Sequence, residues 1–528
     1  MTNEECKAGR EVDVNKIVTS KHPKKIVVAG PGTGKSFLFQ KLIKEKKKEG
    51  KSNFLAITFI GKLGDNLADD LCGLADTYTM HGFARKLINK LLGWWYYPNI
   101  YQIIEEDLKK DGVTDFAIGD KNYLSKSKFY KTAGHADVIH YVVEVMKNDN
   151  SKIPIFDLIL VDEFQDFNKE EAELIDLLAL KNEVVVAGDD DQALYRFKGS
   201  SPDFIRDKYS DSNTDFESHT LRFCSRCTEI IMKYFNAIVE KYNLNDPAKS
   251  RINKEYICYL PDKTEDSEKN KFIHLIQNCP SGMAAYKIQK KLETMIGDQK
   301  VKDVLIIGEG RSCKANLLMI ANQLKRYGFK NVDYNDDNGL LSFNSGTIDA
   351  YKFLSQNEES EIGWRLLGDP ADKEERKQHI KNAKNLKIII SGTSSQISGI
   401  GEKGFQNLEK NIGSDLTPDN QIKRELLIRE LKDTNSSLPR PLCNLNITVC
   451  NILNSKGLGA DVVFLIGFDK KRFPSTPAPT DDEIYQMLVA ITRAKKRLYL
   501  INSSDKDVSD FIGCLDASDV RAEKIKYK

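Results

Sequence analysis

The sequence predicts an α/β protein of two parallel-sheet domains, each interrupted by a smaller, mainly helical insertion. Short apolar, β-branched runs alternate with longer amphipathic segments, which is the pattern of parallel strands and the helices that cover them. These runs fall into two clusters along the chain. The length of 528 residues also exceeds the size at which one hydrophobic core stops growing.

The first cluster comprises KKIVVAG (24–30), FLAITF (54–59), LILVD (158–162) and EVVVAG (183–188). Their nearly continuous apolar character fits strands buried on both faces. Residues 89–150 carry no strong strand signal and form the expected first insertion, which leaves 1–88 and 151–215 as the first domain. The second cluster is DVLIIG (303–308), LKIIISG (386–392), NITVCNIL (446–453), VVFLIGF (462–468) and RLYLIN (497–502). Residues 216–345 and 441–528 make the expected second domain. The charged stretch 346–440 is its insertion, with the Gly-rich SGTSSQISGIGEKG (391–404) inside it and SSLPRPL (436–442) as a linker back to the core.

Bulk composition excludes more than it assigns. Hydrophobic residues make up 40% and charged residues 30%, as in ordinary soluble proteins. The 79 basic residues are offset by 77 acidic ones, so nucleic-acid binding must come from local basic and aromatic surfaces. No apolar run approaches the roughly 20 residues that span a bilayer, and the polar amino-terminal stretch has no apolar signal region. The ten cysteines are too sparse for a disulfide scaffold, which points to a reducing cytoplasm and no membrane partner. Cys224 and Cys227 form a single CxxC with no second pair to complete a zinc site.

KIVVAGPGTGKSFLFQKLI carries the most information. A strand runs into Ala29, Gly30, Pro31, Gly32, Thr33 and Gly34, and Lys35 and Ser36 then open an amphipathic helix. Glycines let backbone N–H groups curl around phosphate oxygens, and the helix amino terminus adds its dipole. Lys35 is placed to reach the β- and γ-phosphates and Ser36 to bind Mg²⁺. LILVDEFQDFN supplies the second half, because a buried strand delivers Asp162 and Glu163 to the carboxyl edge of the sheet. Asp162 is the expected magnesium ligand, and Glu163 the group that orients or deprotonates attacking water.

In family order, these and the following segments resemble the motifs of UvrD/PcrA/Rep-like superfamily 1 DNA helicases. AGPGTGKS is similar to their first motif, FLAITFIGKLGDNL to the next, and TYTMHGFARKLI to a Thr-x-His motif. VDEFQDFN and GDDDQALYRFKGS resemble the second and third, and LRFCSRCTEII the fourth more loosely. NILNSKGLGADVVFLIG and LVAITRAKKRLYL are similar to the fifth and sixth. The resemblance implies two RecA-like domains with ATP and Mg²⁺ in their cleft and single-stranded or partly duplex DNA as partner. By position it implies that Gln192 contacts the γ-phosphate, that Gly457 lies at the nucleotide, and that Arg226 and Arg493 act as arginine fingers. Phe59, Tyr195 and Phe197 are implied to offer rings to bases, with Thr79, His81 and Lys198 near the sugar-phosphate backbone. The implied activity is ATP-dependent translocation or unwinding, 3′→5′.

The departures gather at the nucleotide's base and sugar. Residues 1–36 lack the glutamine with which the family reads adenine, unless Asn15 or another residue fills that role. Ser225 stands where the family has a base-stacking tyrosine, and Gly459 where it has an acid near the ribose. Asn451 and Leu453 replace a Thr and a His of the fifth motif. The expectation is modest affinity, relaxed choice among nucleotides, and translocation more secure than unwinding. Compact relatives of this length resemble the helicase subunit of the Gabija anti-phage system, which works with a nuclease. That resemblance implies a second reading, a nucleotide-gated DNA-end-binding subunit with a nuclease partner; RNA as the track is a third.

Overall fold

The computed structural model describes residues 2–59, 67–210, 215–242, 244, 251–295, 300–308, 314–335, 346–384, 445–470, 472–476, 478–503 and 508–525. The expected strand 386–392, the Gly-rich stretch 391–404, the linker 436–442 and most of the segment after FLAITF lie outside them.

The first sheet has six parallel strands: β1 (Lys24–Ala29), β2 (Phe54–Thr58), β3 (Asp76–Thr79), β4 (Leu158–Val161), β5 (Val184–Gly188) and β6 (Glu217–Leu221). Their order is β3-β2-β4-β5-β1-β6. β2, β4 and β5 are buried along their whole length, as is β1 after Lys24, which is why they read as unbroken apolar runs. α1 (Asn3–Thr19) begins with a reciprocal cap: the Thr2 hydroxyl accepts from the Glu5 amide, and the Glu5 carboxylate accepts from the Thr2 amide. α2 (Lys35–Lys48) buries Leu38, Phe39, Leu42 and Ile43 against Val27, Leu160 and Val185 of the sheet.

β6 corrects the expected boundary at residue 216. Glu217–Leu221 pairs in parallel register with β1, so the first sheet ends only at Leu221. The strand is polar, ESHTL, because it covers an edge and buries only its last residue. The chain then crosses to the second core at Cys224–Cys227, whose cysteines pack with Ile231 and Phe235 of α3 (Glu229–Lys241).

The second sheet has seven parallel strands: β7 (Ile273–Gln277), β8 (Asp303–Gly308), β9 (Val332–Asn335), β10 (Asn446–Asn451), β11 (Ala460–Ile466), β12 (Ala494–Ile501) and β13 (Val520–Lys524). Their order is β9-β10-β8-β11-β12-β7-β13. Each face carries its own apolar cluster, one around Leu305, Val463 and Leu488, the other around Ile306, Phe464 and Leu324. The protein is therefore α/β with two parallel-sheet cores of the RecA kind.

Both sheets belong to one compact unit, residues 1–87, 139–338 and 441–528. Residues 88–138 and 339–440 form the other. Within that second unit, Trp95 and Tyr97 set their rings edge-on to Phe353 at 6.2 and 5.9 Å. Arg365 donates twice to Asp107, at 3.0 and 2.9 Å, and to Glu106 at 3.1 Å. The two insertions thus share one small helical body, a pairing that sequence distance conceals. Among the described residues, no helix is long and apolar enough to cross a membrane.

Candidate nucleotide site and nucleic-acid surface

Three loops at the carboxyl edge of the first sheet converge on one cavity of about 480 Å³. β1 delivers Gly30, Pro31, Gly32, Thr33 and Gly34, with Lys35 and Ser36 at the start of α2. β4 delivers Asp162 and Glu163, and β5 leads to Gln192. Opposite them lie Arg226, Lys456, Gly457 and Arg493 from the second core. Ala29 ends β1 inside the core and does not line the cavity. Leu67, Asp69 and Asp70, which no sequence argument marked, also line it.

The glycines are needed where the backbone turns left-handed. Gly32 has φ +66° and Gly34 has φ +96°. A Cβ on Gly32 would lie 2.3 Å from Arg226 Cβ, and the Ser225 amide donates to the Gly32 carbonyl at 2.9 Å. The loop is thus packed against the segment that carries Arg226. Beneath Gly30 lies the buried ring of Tyr256, 2.4 Å from where a Cβ would stand.

Charge in the cavity is paired but not neutralised. Lys35 Nζ lies 2.9 Å from Glu163 Oε1 and 3.9 Å from Asp162 Oδ1. Desolvation works against the Lys35 charge, but Glu163 and Asp162 outweigh it and raise its pKa. Desolvation also opposes the Glu163 charge, yet Lys35 and Lys456 hold that carboxyl below its usual range. Gln165 Nε2 donates to its other oxygen at 2.7 Å. Burial raises Asp162 to about 6, because Lys35 lies too far away to compensate fully. Arg493, 2% exposed, is lowered to about 9 by burial and by neighbouring Arg226. Such desolvated cations facing a glycine loop favour an anion.

Sequence reasoning missed Lys456 although it stands beside Gly457. Its ammonium pairs with Asp166, lies 3.5 Å from Glu163 Oε2 and donates to the Gln192 carbonyl at 2.8 Å. It ties the fifth-motif segment to both acidic loops. Burial raises Asp166 to about 6 despite Lys456.

The expected nucleic-acid residues divide into exposed and covered groups. Phe197 is 63% exposed, and Lys198 Nζ lies 6.0 Å from its ring centre. Phe59 is half-buried, 5.0 Å from the Tyr195 ring. Tyr195 itself departs from the expectation of an open ring: it is 7% exposed and packs with Leu194, Tyr485 and Val489. The loop after Gln192 folds down on the helix Asp481–Ile491, and apolar contact there outcompetes presentation to solvent. Thr79 is half-buried and accepts from the Gly82 amide at 3.0 Å. His81 Nδ1 lies 3.8 Å from Glu171, whose carboxyl burial raises to about 7.

Among the departures, the Ser225 hydroxyl is buried without a hydrogen-bond partner. A side chain on Gly459 would begin 3.7 Å from Arg226 Nε, so an acid there would pair with that arginine.

Two sequence families match most of the chain. The AAA domain pattern covers residues 14–198, and the UvrD-like helicase C-terminal domain pattern covers 269–505. A probable DNA helicase II homolog of Mycoplasma genitalium is 21% identical, with 94% of this chain and 85% of that protein aligned. The ATP-dependent DNA helicase PcrA of Staphylococcus aureus is 24% identical over 69% of this chain. The chain spans only 57% of that PcrA's length. The ATP-dependent DNA helicase Rep of Buchnera aphidicola is 22% identical, with 78% and 74% aligned.

Proposed function

The chain belongs to the UvrD-like helicase family of superfamily 1, and on that premise we propose that it is an ATP-hydrolysing motor moving 3′→5′ on single-stranded DNA. The observation that carries this is the two-sided cavity. A phosphate loop and two carboxylates from one core face two arginines and a lysine from the other. A triphosphate held there ties both cores together, and its loss on hydrolysis releases them, which is the elementary step of a cleft-driven motor.

The residues fit a magnesium-bound nucleoside triphosphate, because the left-handed glycines leave the loop free of side chains and three cations face two buried acids. Ser36 and Asp162 would hold the ion, which would supply charge neutralisation for the phosphates. Lys35 grips the same phosphates. Glu163, kept ionised, accepts a proton from the attacking water or orients it. Gln192 reports the γ-phosphate, Gly457 gives close backbone approach, and Arg226 and Arg493 stabilise charge on the transferred group. A finger of this kind contributes about 10³–10⁵ in rate.

Phe197, with Lys198 beside it, offers an open ring for a base, and Phe59, Thr79 and His81 continue the track. With an orphaned Ser225 hydroxyl and no acid at Gly459, base and sugar are held weakly, so ATP, GTP and CTP are expected to be hydrolysed within a hundredfold of each other.

The deciding experiment measures phosphate release with Mg²⁺, with and without single-stranded DNA, followed by displacement of a block from either DNA end. DNA-stimulated hydrolysis and displacement from one end establish the motor. Hydrolysis indifferent to DNA would instead assign a nucleotide-gated DNA-end-binding subunit, and the search would turn to a nuclease partner in anti-phage defence.

A further inference from the structure

Directly after β5, Asp189, Asp190 and Asp191 bring three carboxylates to within 4.8 Å of one another, and none is exposed. Three buried like charges cannot all stay ionised without compensation. It comes from a segment some sixty residues later that no motif marks. Lys254, with no exposed side-chain surface, stands 3.1 Å from Asp189 Oδ1 and 3.2 Å from Asp191 Oδ2, and also pairs with Asp190. Arg251 donates to both oxygens of Asp191 at 2.7 Å. Arg206 donates to Asp190 at 2.9 Å and to the Tyr485 hydroxyl at 2.8 Å. The arrangement converges as a cation site would, and the Lys254 ammonium fills it.

Asp189 looks two ways. Its Oδ1 faces Lys254, and its Oδ2 accepts from Gln192 Nε2 at 2.8 Å. An ionised carboxylate can only accept, so the amide must turn its nitrogen to Asp189 and its oxygen away. That oxygen accepts from Arg493 NH2 at 3.3 Å, and an arginine can only donate. Two contacts therefore fix one orientation of the Gln192 amide, Asp189 at its nitrogen and Arg493 at its oxygen.

We infer that Lys254 is a positioning residue for hydrolysis: by anchoring Asp189 it sets the Gln192 amide at the nucleotide cavity, where the amide oxygen meets an Arg493 already held by the Val489 and Leu458 carbonyls at 3.0 and 3.1 Å. This rests on the hydrolase reading above. Neither Lys254 nor Asp189 lines the cavity, so neither touches the nucleotide directly.

The test is a double-mutant cycle in the full chain, reading kcat and KM for ATP with single-stranded DNA and thermal unfolding in parallel. Lys254→Met keeps length and removes charge. Asp189→Asn keeps shape but weakens the hold on the amide nitrogen, and it decides the question if Lys254→Met does not fold. The expected result is a kcat lowered about 10- to 100-fold with KM changed less than about threefold. Combined with Gln192→Ala, the folded variant should have a kcat no lower than that of Gln192→Ala alone, because all act through one amide. A folded variant with kcat within about threefold of wild type, or a loss fully additive with Gln192→Ala, overturns the inference. Wild-type hydrolysis abolished by Lys35→Ala secures the underlying reading separately. Wild type without hydrolysis sinks that reading, and this inference with it.

Discussion

Gly32→Ala offers a direct test of how the phosphate loop and Arg226 depend on each other. Gly32 sits at φ +66°, where an alanine costs about 1–3 kcal/mol of backbone strain. Its new methyl would lie 2.3 Å from Arg226 Cβ, and ordinary contact begins at 3.4 Å, so Arg226 or the loop must retreat by about 1 Å. Displacements of that size at a reacting centre lower rates about 100-fold, equivalent to about 2.7 kcal/mol of barrier. Gly34→Ala is the control. It shares the left-handed strain, at φ +96°, but would meet the flexible end of Arg10 at 3.1 Å and Phe37 Cβ at an ordinary 3.8 Å. Steady-state phosphate release and nucleotide binding would be compared for Gly32→Ala, Gly34→Ala, Arg226→Ala and the Gly32/Arg226 double variant. Gly32→Ala should lose kcat much as Arg226→Ala does, with little further loss in the double variant. If it loses nucleotide affinity with kcat intact, or if its loss matches Gly34→Ala and adds fully to Arg226→Ala, the steric argument fails.

Three further outcomes are expected. Glu163→Gln keeps the shape beside Lys35 but removes the proton acceptor, so hydrolysis should fall about 10²–10⁴-fold while nucleotide still binds; a loss under tenfold in a phosphate-release assay would show another group activates water. Phe197→Ala removes an exposed ring, so single-stranded DNA binding should weaken by about 1–3 kcal/mol with the melting temperature unchanged, and equal affinity by fluorescence titration would remove Phe197 from the track. His274, stacked 4.6 Å from Tyr499, is lowered to about 4 by burial and then by Arg497, so the unfolded chain takes its proton first. Stability should therefore decline as pH falls from about 6.5 towards about 4, by on the order of 2 kcal/mol after allowing for partial exposure; His274→Gln should flatten that part of the melting profile, and parallel profiles would count against it.

The sequence alone determined whatever is local and continuous. The loop Gly30–Ser36, the acids Asp162 and Glu163 and the buried strands around them are each set by a few consecutive residues, since backbone conformation and strand burial depend on neighbours in the chain. Gln192, Arg226 and Arg493 were legible only because their motifs resemble a family, and the structure brings all three to the same cavity. Tertiary structure decided the rest. The edge strands DTYT (76–79), ESHTL (217–221) and VRAEK (520–524) carry little apolar signal, because an edge buries too little to require one. Tyr195 could not be told from an exposed ring, since its cover comes from Tyr485 and Val489 nearly three hundred residues later. Above all, nothing in the sequence shows how three consecutive aspartates are compensated until Lys254, Arg251 and Arg206 are brought to them. Buried charge is stable only with its partner, and the partner's place along the chain is set by the fold.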